Sequence, residues 1–404
     1  MSGCKGRAER SRAFVTRFPH APEPRGSEVG GPHPQNREVF KRMRGIFHIV
    51  LSVIFAISAS WVHAAVMSVR ADRPDWGKVL MGDTSWNIVL DGEIDSGAAA
   101  RVAEALRSAG PDGADVYINS LGGNLLVGMQ IGRLIRQARA NTRIGTLARE
   151  TATTFGGKRG VKHVAGYCYS ACSLAFLGGV YRYAGKNDEY GVHRFSSGAL
   201  PTTGDLDAAQ VASAAVAAYI REMDVDPALF DFMVERGKDS IRLLTDAELT
   251  RLNVVNNGRQ RAEWSIEVVE GGQYLRGVQD TVYGRGKAVL LCQKGGIYWY
   301  SFYQAGTERA KSVVSGGWYH SLLVDGKSVA LADPALAKVS GDEISALFPL
   351  TRDQAMSIAS SSSMGHAMQL GRDAPIFVGY QIDIPVSASR KVSTFLRNCF
   401  ATVR

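Results

Sequence analysis

Residues 115–138 read DVYINSLGGNLLVGMQIGRLIRQA. The run 115–120 has the composition of a short strand, Gly122-Gly123 marks a tight turn, and over 124–138 the apolar residues Val127, Ile131, Leu134 and Ile135 recur at helical spacing on one face. A strand that passes through a double glycine into an amphipathic helix predicts one unit of an α/β domain with mainly parallel strands. The same texture extends outward. The β-rich runs WNIVLDGEI (86–94), RIGTLA (143–148) and EYGVHRF (189–195) alternate with helices expected over 98–108, 205–223, 227–236 and 245–252, with Asp207 and Asp226 as capping candidates.

Beyond about residue 262 the pattern changes. WSIEVVE, AVLLCQ, IYWYSFYQ, HSLLVDG and IFVGYQIDI alternate apolar and polar residues between GG, DG and GRG turns, which reads as antiparallel β structure. Helices are expected over 351–359 and 387–399. The chain of 404 residues, 45% of them hydrophobic and 21% charged, is long enough for two domains, and this composition excludes collagen-like and wholly disordered classes. The expected division is a terminal segment 1–64, an α/β domain 65–262 and a smaller, mainly antiparallel β domain 263–404.

The formal charge of +9 suggests an acidic partner until it is located. Residues 1–64 hold 10 Lys and Arg against 4 Asp and Glu, so most of the excess lies there and the rest of the chain is nearly balanced. No nucleic-acid partner is expected. IFHIVLSVIFAISASWV (46–62) follows the basic group Lys41, Arg42 and Arg44 and precedes Val62-His63-Ala64, the layout of a secretory signal peptide cut after Ala64. Residues 1–42 are rich in Arg, Pro and Gly without hydrophobic periodicity, and Met43 is the expected start. An exported protein results, periplasmic or secreted, touching the membrane only through the signal peptide if it is not removed.

Cysteine usage agrees with export. Cys4 lies upstream of the signal, and the even number of remaining cysteines, Cys168, Cys172, Cys292 and Cys399, permits three pairings. A Cys292–Cys399 disulfide is favoured. The 168/172 pair stays open, because cysteines four apart across a turn need a Cα separation of about 4.4 to 6.8 Å to join. These cysteines lack paired CxxC spacing, so no metal is expected, and no cofactor fingerprint occurs.

Three segments carry the chemistry. In INSLGGN (118–124) the double glycine can aim an N–H at a ligand oxygen. In CYSACSLAFLGG (168–179) Ser170 stands at a strand-to-helix turn, where the N–H of Ala171 is placed to stabilise an oxyanion. YAGKNDEYGVH (183–193) ends on His193, a side chain suited to accepting a serine proton near neutral pH. Taken singly, Ser170 reads as a helix cap, His193 as a strand histidine paired to a carboxylate, and Gly122-Gly123 as a plain turn. Together they read as a site.

These motifs resemble the Clp protease proteolytic subunit and its relatives, including signal peptide peptidase A. That family carries INSPGG, a nucleophilic Ser nine residues before a Gly, and YA-x-x-N-x-E-x-x-x-H; here Leu121 replaces the Pro, Ser170 to Gly179 keeps the spacing, and Tyr183, Ala184, Asn187, Glu189 and His193 match in order. The CYSAC wording is similar to a periplasmic Clp-like subgroup, and the resemblance covers about 86–255. It implies a crotonase-like spiral of ββα units, Ser170 as nucleophile, His193 as general base, and the backbone N–H groups of Gly123 and Ala171 as oxyanion hole, with Gly122 and Asn124 beside the bound peptide. The acid of the family falls on Ile241, so Asp239 serves as third member only if the loop shifts by two residues; Ser240 or a backbone carbonyl is the other candidate orienter.

The resulting expectation is an exported Clp-like serine peptidase that cleaves peptides or proteins in the cell envelope. The alternative is a catalytically inactive Clp-fold envelope protein acting as a binding or scaffold module. Clp subunits form stacked rings, which leaves a homo-oligomer open. For the 263–404 domain, binding of a partner, of an envelope component or of substrate is expected.

Overall fold

The computed structural model describes residues 66–74, 84–153, 159–195, 203–237, 239–270, 272–293, 296–315, 317–371, 374 and 376–402; the expected signal peptide and the Met43 start lie outside them. The first half runs β1 (Ser68–Asp72), β2 (Trp86–Asp91), α1 (Ala98–Ala109), β3 (Ala114–Asn119), α2 (Leu125–Gln137), β4 (Asn141–Ile144), β5 (Thr146–Thr153), β6 (Arg159–Val164), β7 (Tyr167–Tyr169), α3 (Ala171–Leu177), β8 (Arg182–Tyr183), β9 (Glu189–Val192), α4 (Thr203–Glu222), α5 (Leu229–Glu235), β10 (Arg242–Leu243) and α6 (Asp246–Arg251). Strand order in the larger sheet is β1-β2-β3-β4-β8, parallel except for β1, and a second sheet has the order β10-β9-β7. Burial on both faces explains the nearly continuous apolar runs of β2 and β3.

The helices follow their apolar stripes. α1 buries Ala98, Val102, Ala105, Leu106 and Ala109, and α2 buries Met129, Ile131 and Ile135 while Val127 and Leu134 pack at the edge of the same core. Asn124 caps α2, its Oδ1 accepting from Val127 N at 3.1 Å. α3 is buried along its whole length, so it is a core helix without a polar face.

Several expectations are corrected. The run 143–148 is not one strand: it breaks at Gly145, whose φ of +101° ends β4 and starts the β5–β6 hairpin. That hairpin pairs Thr146 with Val164 and Thr153 with Arg159, with 154–158 outside the described residues. Asp207 does not cap α4, which starts at Thr203, four residues earlier. Asp226 does serve the entry to α5, its Oδ1 accepting from Ala228 N at 2.9 Å.

The second half comprises β11 (Glu263–Val269), β12 (Gly272–Thr281), β13 (Gly284–Gln293), β14 (Gly296–Gln304), α7 (Thr307–Ser315), β15 (Tyr319–Val324), β16 (Lys327–Ala330), β17 (Leu336–Ser340), β18 (Glu343–Leu350), α8 (Arg352–Ala359), β19 (Ser363–Gln369), β20 (Val378–Asp383) and α9 (Val386–Thr402). Its sheets, β11-β12-β13-β14-β18-β17 and β16-β15-β19-β20, are antiparallel throughout. The molecule is therefore α/β, with a mainly antiparallel second half. Each half has its own hydrophobic core, one centred on β2, β3, α2 and α3, the other on Leu275, Leu290, Trp299, Phe348, Met364 and Leu396.

Both disulfides form. Cys292 of β13 joins Cys399 of α9 across 107 residues with a Cα separation of 5.5 Å, a closure that the chain-entropy argument values at about 4.7 kcal/mol. Cys168 joins Cys172, the Cα atoms 5.2 Å apart. The seam between the halves is polar: Arg259 donates to Asp383 Oδ1 and Gln279 Nε2 donates to Gln260 O, both at 2.7 Å, while on the first-half side the amides of Asn256 and Gln260 both donate to the carbonyl of Val180, at 3.0 and 2.5 Å. Among the described residues no helix is long and apolar enough to cross a membrane.

Candidate active site

Ser170 occupies the single residue between β7 and α3, at φ 57° and ψ −124°, a combination that a residue with a Cβ rarely adopts. The cap role that a serine at this position ordinarily takes is absent, since its hydroxyl makes no capping hydrogen bond. The backbone is held on both sides. Ser170 N–H donates to Gly191 O at 3.1 Å, and Ser170 O accepts from Ser173 N at 3.0 Å and from Ser173 Oγ at 2.5 Å.

The glycine turn lies directly against this serine. A Cβ on Gly122 would stand 2.6 Å from Ser170 Cβ and 3.1 Å from Ser170 Oγ, so only glycine fits there. Gly122 and Gly123 have φ of +112° and +131°. The β-bridge between Ser120 and Cys168 fixes the turn relative to β7, with Ser120 N donating to Tyr167 O and Tyr169 N donating to Ser120 O.

The candidate oxyanion donors separate into two sets. Gly122 N–H is engaged by Ser120 Oγ at 3.1 Å, and Asn124 N–H by Ile94 O at 2.8 Å, so neither is available to a ligand. The side chain of Asn124 is likewise occupied in capping α2. By contrast, Gly123 N–H has no acceptor among the described residues, and Ala171, first in its helix, has no intrahelical acceptor. Ala171 follows Ser170 directly, and Gly123 follows the glycine that stands against it.

His193 follows β9, which lies parallel to β7 with Tyr169 opposite Gly191. Continuing that register sets Ser170 beside Val192 and His193 one residue further, so both residues leave the same ends of neighbouring strands. No hydrogen bond joins Ser170 Oγ to His193 among the described residues, and His193 Nδ1 is buried without a partner. The orphaned nitrogen has a cause in the next strand. β10 pairs with β9 with Arg242 opposite Val192, and continuing that register brings Ile241 opposite His193.

The candidate third member, Asp239, makes no hydrogen bond to His193 Nδ1. It sits exposed in the turn before β10, two residues past the position that faces His193, and it does not bond Nδ1. Ser240 and the nearby carbonyls do not supply that contact either. The Ile241 side chain instead leans over Gly191, where a Cβ would meet its Cγ2 at 2.5 Å and Tyr169 Cδ1 at 2.7 Å.

Supporting groups that motif spacing missed surround the site. The Tyr169 hydroxyl donates to Glu189, and burial followed by that bond pushes it up to about 12. Asp188, with its side chain 1% exposed, accepts from Gly166 N at 3.1 Å and Gly185 N at 2.6 Å and lies 3.4 Å from His163 Nε2, so it staples the loop that leads into β9. Arg182 is wholly buried and donates to the carbonyls of Gly179, Asn253 and Val254 at 2.9, 2.7 and 2.9 Å, holding the foot of α3. Leu121, Leu126 and Leu243 leave large apolar surfaces exposed near the turn and β10.

A cleft of about 870 Å³ opens at the seam, lined by Arg136, Arg139, Tyr181, Arg261 and Arg285 among others, and none of its walls belongs to the Ser170 turn. Among the described residues no group of three or more His, Cys, Asp or Glu could hold a metal ion. The chain matches no family model, and no curated protein matches it.

Proposed function

We propose that the chain is an exported Clp-like serine hydrolase that cleaves peptides or proteins in the cell envelope, built on a crotonase-like spiral of ββα units. Ser170 Oγ attacks the carbonyl carbon of the substrate, His193 takes the hydroxyl proton and returns it to the leaving amine, and water then releases the acyl group. The N–H groups of Gly123 and Ala171 receive the oxyanion. The observation that carries this reading is Ser170 itself: a non-glycine residue at φ 57° that forgoes its cap and stands against a double glycine. Backbone strain of this kind persists where the surrounding structure enforces it and clusters at functional sites.

A second reading, a binding module that keeps the fold without turnover, is favoured by one observation, the buried and unpartnered Nδ1 of His193 opposite Ile241. A fluorophosphonate probe separates the two. The oxidised protein is expected to be labelled at Ser170, with labelling abolished in Ser170→Ala and reduced at least about 100-fold in His193→Ala, the order of effect of losing a general base. An unlabelled wild-type protein, correctly folded and oxidised, establishes the binding module.

A further inference from the structure

We infer that the Cys168–Cys172 disulfide is the positioning device of the Ser170 turn and makes the reactivity of that serine conditional on oxidation; this rests on the serine-hydrolase reading above. The cysteines stand two residues before and two after Ser170, so the covalent ring contains the backbone of Tyr169, Ser170 and Ala171 and little else. Both ends of the ring are anchored. Cys168 is bridged to Ser120, which leads into Gly122-Gly123, and Cys172 lies in the first turn of the buried helix α3; both cysteines are fully buried.

The bond has a specific alternative to oppose. A serine entering a helix ordinarily takes an extended backbone and turns its hydroxyl onto the first free N–H groups of the helix. Ser170 does neither, although α3 offers it those N–H groups. Opening the ring lets Ser170 leave φ 57°, relax into the cap and withdraw its hydroxyl from the glycine turn at Gly122. The reduced chain is thus quiet and the oxidised chain is armed.

Closure needs only a disulfide donor of the thiol–disulfide exchange class. One cysteine thiolate attacks the donor disulfide and expels a thiol, and the second attacks the resulting mixed disulfide and expels the other; two protein thiols and one donor disulfide become one protein disulfide and two donor thiols. Compartments that receive exported proteins supply such donors, whereas the cytosol keeps thiols reduced. Because both cysteines are buried, closure belongs to folding, and later reduction requires local opening.

The Cys292–Cys399 disulfide provides the control within the same molecule. Fluorophosphonate labelling rate, thermal unfolding and crystal structures are compared for the wild type, Cys168→Ala/Cys172→Ala and Cys292→Ala/Cys399→Ala. The first pair is expected to remain folded, label at least 10-fold more slowly and place Ser170 Oγ on an N–H of α3; the second is expected to unfold at lower temperature yet label within twofold of wild type. Labelling of Cys168→Ala/Cys172→Ala within twofold of wild type, or a retained positive φ at Ser170, overturns the inference. If that variant does not fold, the wild type is reduced in steps with a phosphine, and labelling must follow the 168–172 bond measured by peptide mass and return on reoxidation; labelling that follows only 292–399 overturns the inference. An unlabelled oxidised wild type refutes the hydrolase reading instead, and the position of Ser170 in the two crystal structures still decides whether the disulfide sets the turn.

Discussion

Among the described residues the second half holds a hydrogen-bonded serine and histidine, and they are the opposite of Ser170 and His193 in the first. In the second half Ser301 Oγ lies 2.8 Å from His366 Nδ1, His366 Nε2 lies 2.9 Å from His320 Nδ1, and the Tyr380 hydroxyl donates to Ser301 at 3.0 Å. Every link of a proton relay is present, yet Ser301 and His366 are each 1% exposed. Ser301 sits in regular strand β14, paired with Ala288 of β13 on one side and Ala346 of β18 on the other. Ser170 and His193 lack the hydrogen bond but are each half-buried, with a strained turn and the unengaged N–H groups of Gly123 and Ala171 in the same segments. A hydrogen-bonded Ser–His pair is thus compatible with a purely structural role, and the backbone around the serine is what distinguishes the two sites.

Gly122→Ala tests that distinction most severely. Its methyl would stand 2.6 Å from Ser170 Cβ and at a φ disfavoured for alanine, so labelling of Ser170 is expected to fall about 100-fold, equivalent to ~2.7 kcal/mol of barrier. A rate within threefold of wild type removes the close approach from the explanation. Ile241→Asp sharpens the comparison in the other direction. A carboxylate opposite His193 gives Nδ1 the acceptor it lacks, and labelling is expected to rise about 10-fold, with a carboxylate that orients the imidazole as the physical basis. No gain in Ile241→Asp, with the fold intact, means that the orienter is not what limits the site.

The smallest effect on labelling, none at all, is expected from the buried pair. Peptide mass analysis should find probe on Ser170 and none on Ser301. The role of His366 shows in stability instead. Burial, and then the neighbouring His320, hold His366 well below the ordinary value of 6.5. Below pH 6.5 the unfolded chain therefore binds a proton that the folded chain refuses, so stability is complete above that pH and declines as the pH falls towards the folded-state value. The expected slope is about 1.4 kcal/mol per pH unit for one such proton. Denaturant unfolding between pH 7.5 and 5.5 measures it, and a flat profile breaks this account of the relay.

Much of this contrast is legible in the sequence only on one side. The parts of the Ser170 site that sit within a few residues of each other, the double glycine, the serine at a strand-to-helix turn and the flanking cysteines, announce themselves because local chemistry fixes them. The orienting position is hidden by its support. β10 is two residues long and has no pattern of its own, so the residues alone do not locate it; the resemblance puts the acid's position on Ile241, and continuing the β10–β9 register brings that residue opposite His193. Ser301 and His366 are 65 residues apart on strands whose alternation signals burial but not neighbours. The helix Thr307–Ser315 escapes notice because, among its described side chains, Ala310 and Val313 alone are buried.

The polar seam acquires a mechanical meaning from where it fastens. The carbonyl of Val180, which receives both Asn256 and Gln260, lies just past the foot of α3, and Ser170 stands at the head of that helix. Seven residues of α-helix span about 10 Å and are stiff at that length. The segment that leads into the second half and the serine are thus attached near opposite ends of one short rod, with only Gly178 and Gly179 between the rod and its fastening at Val180.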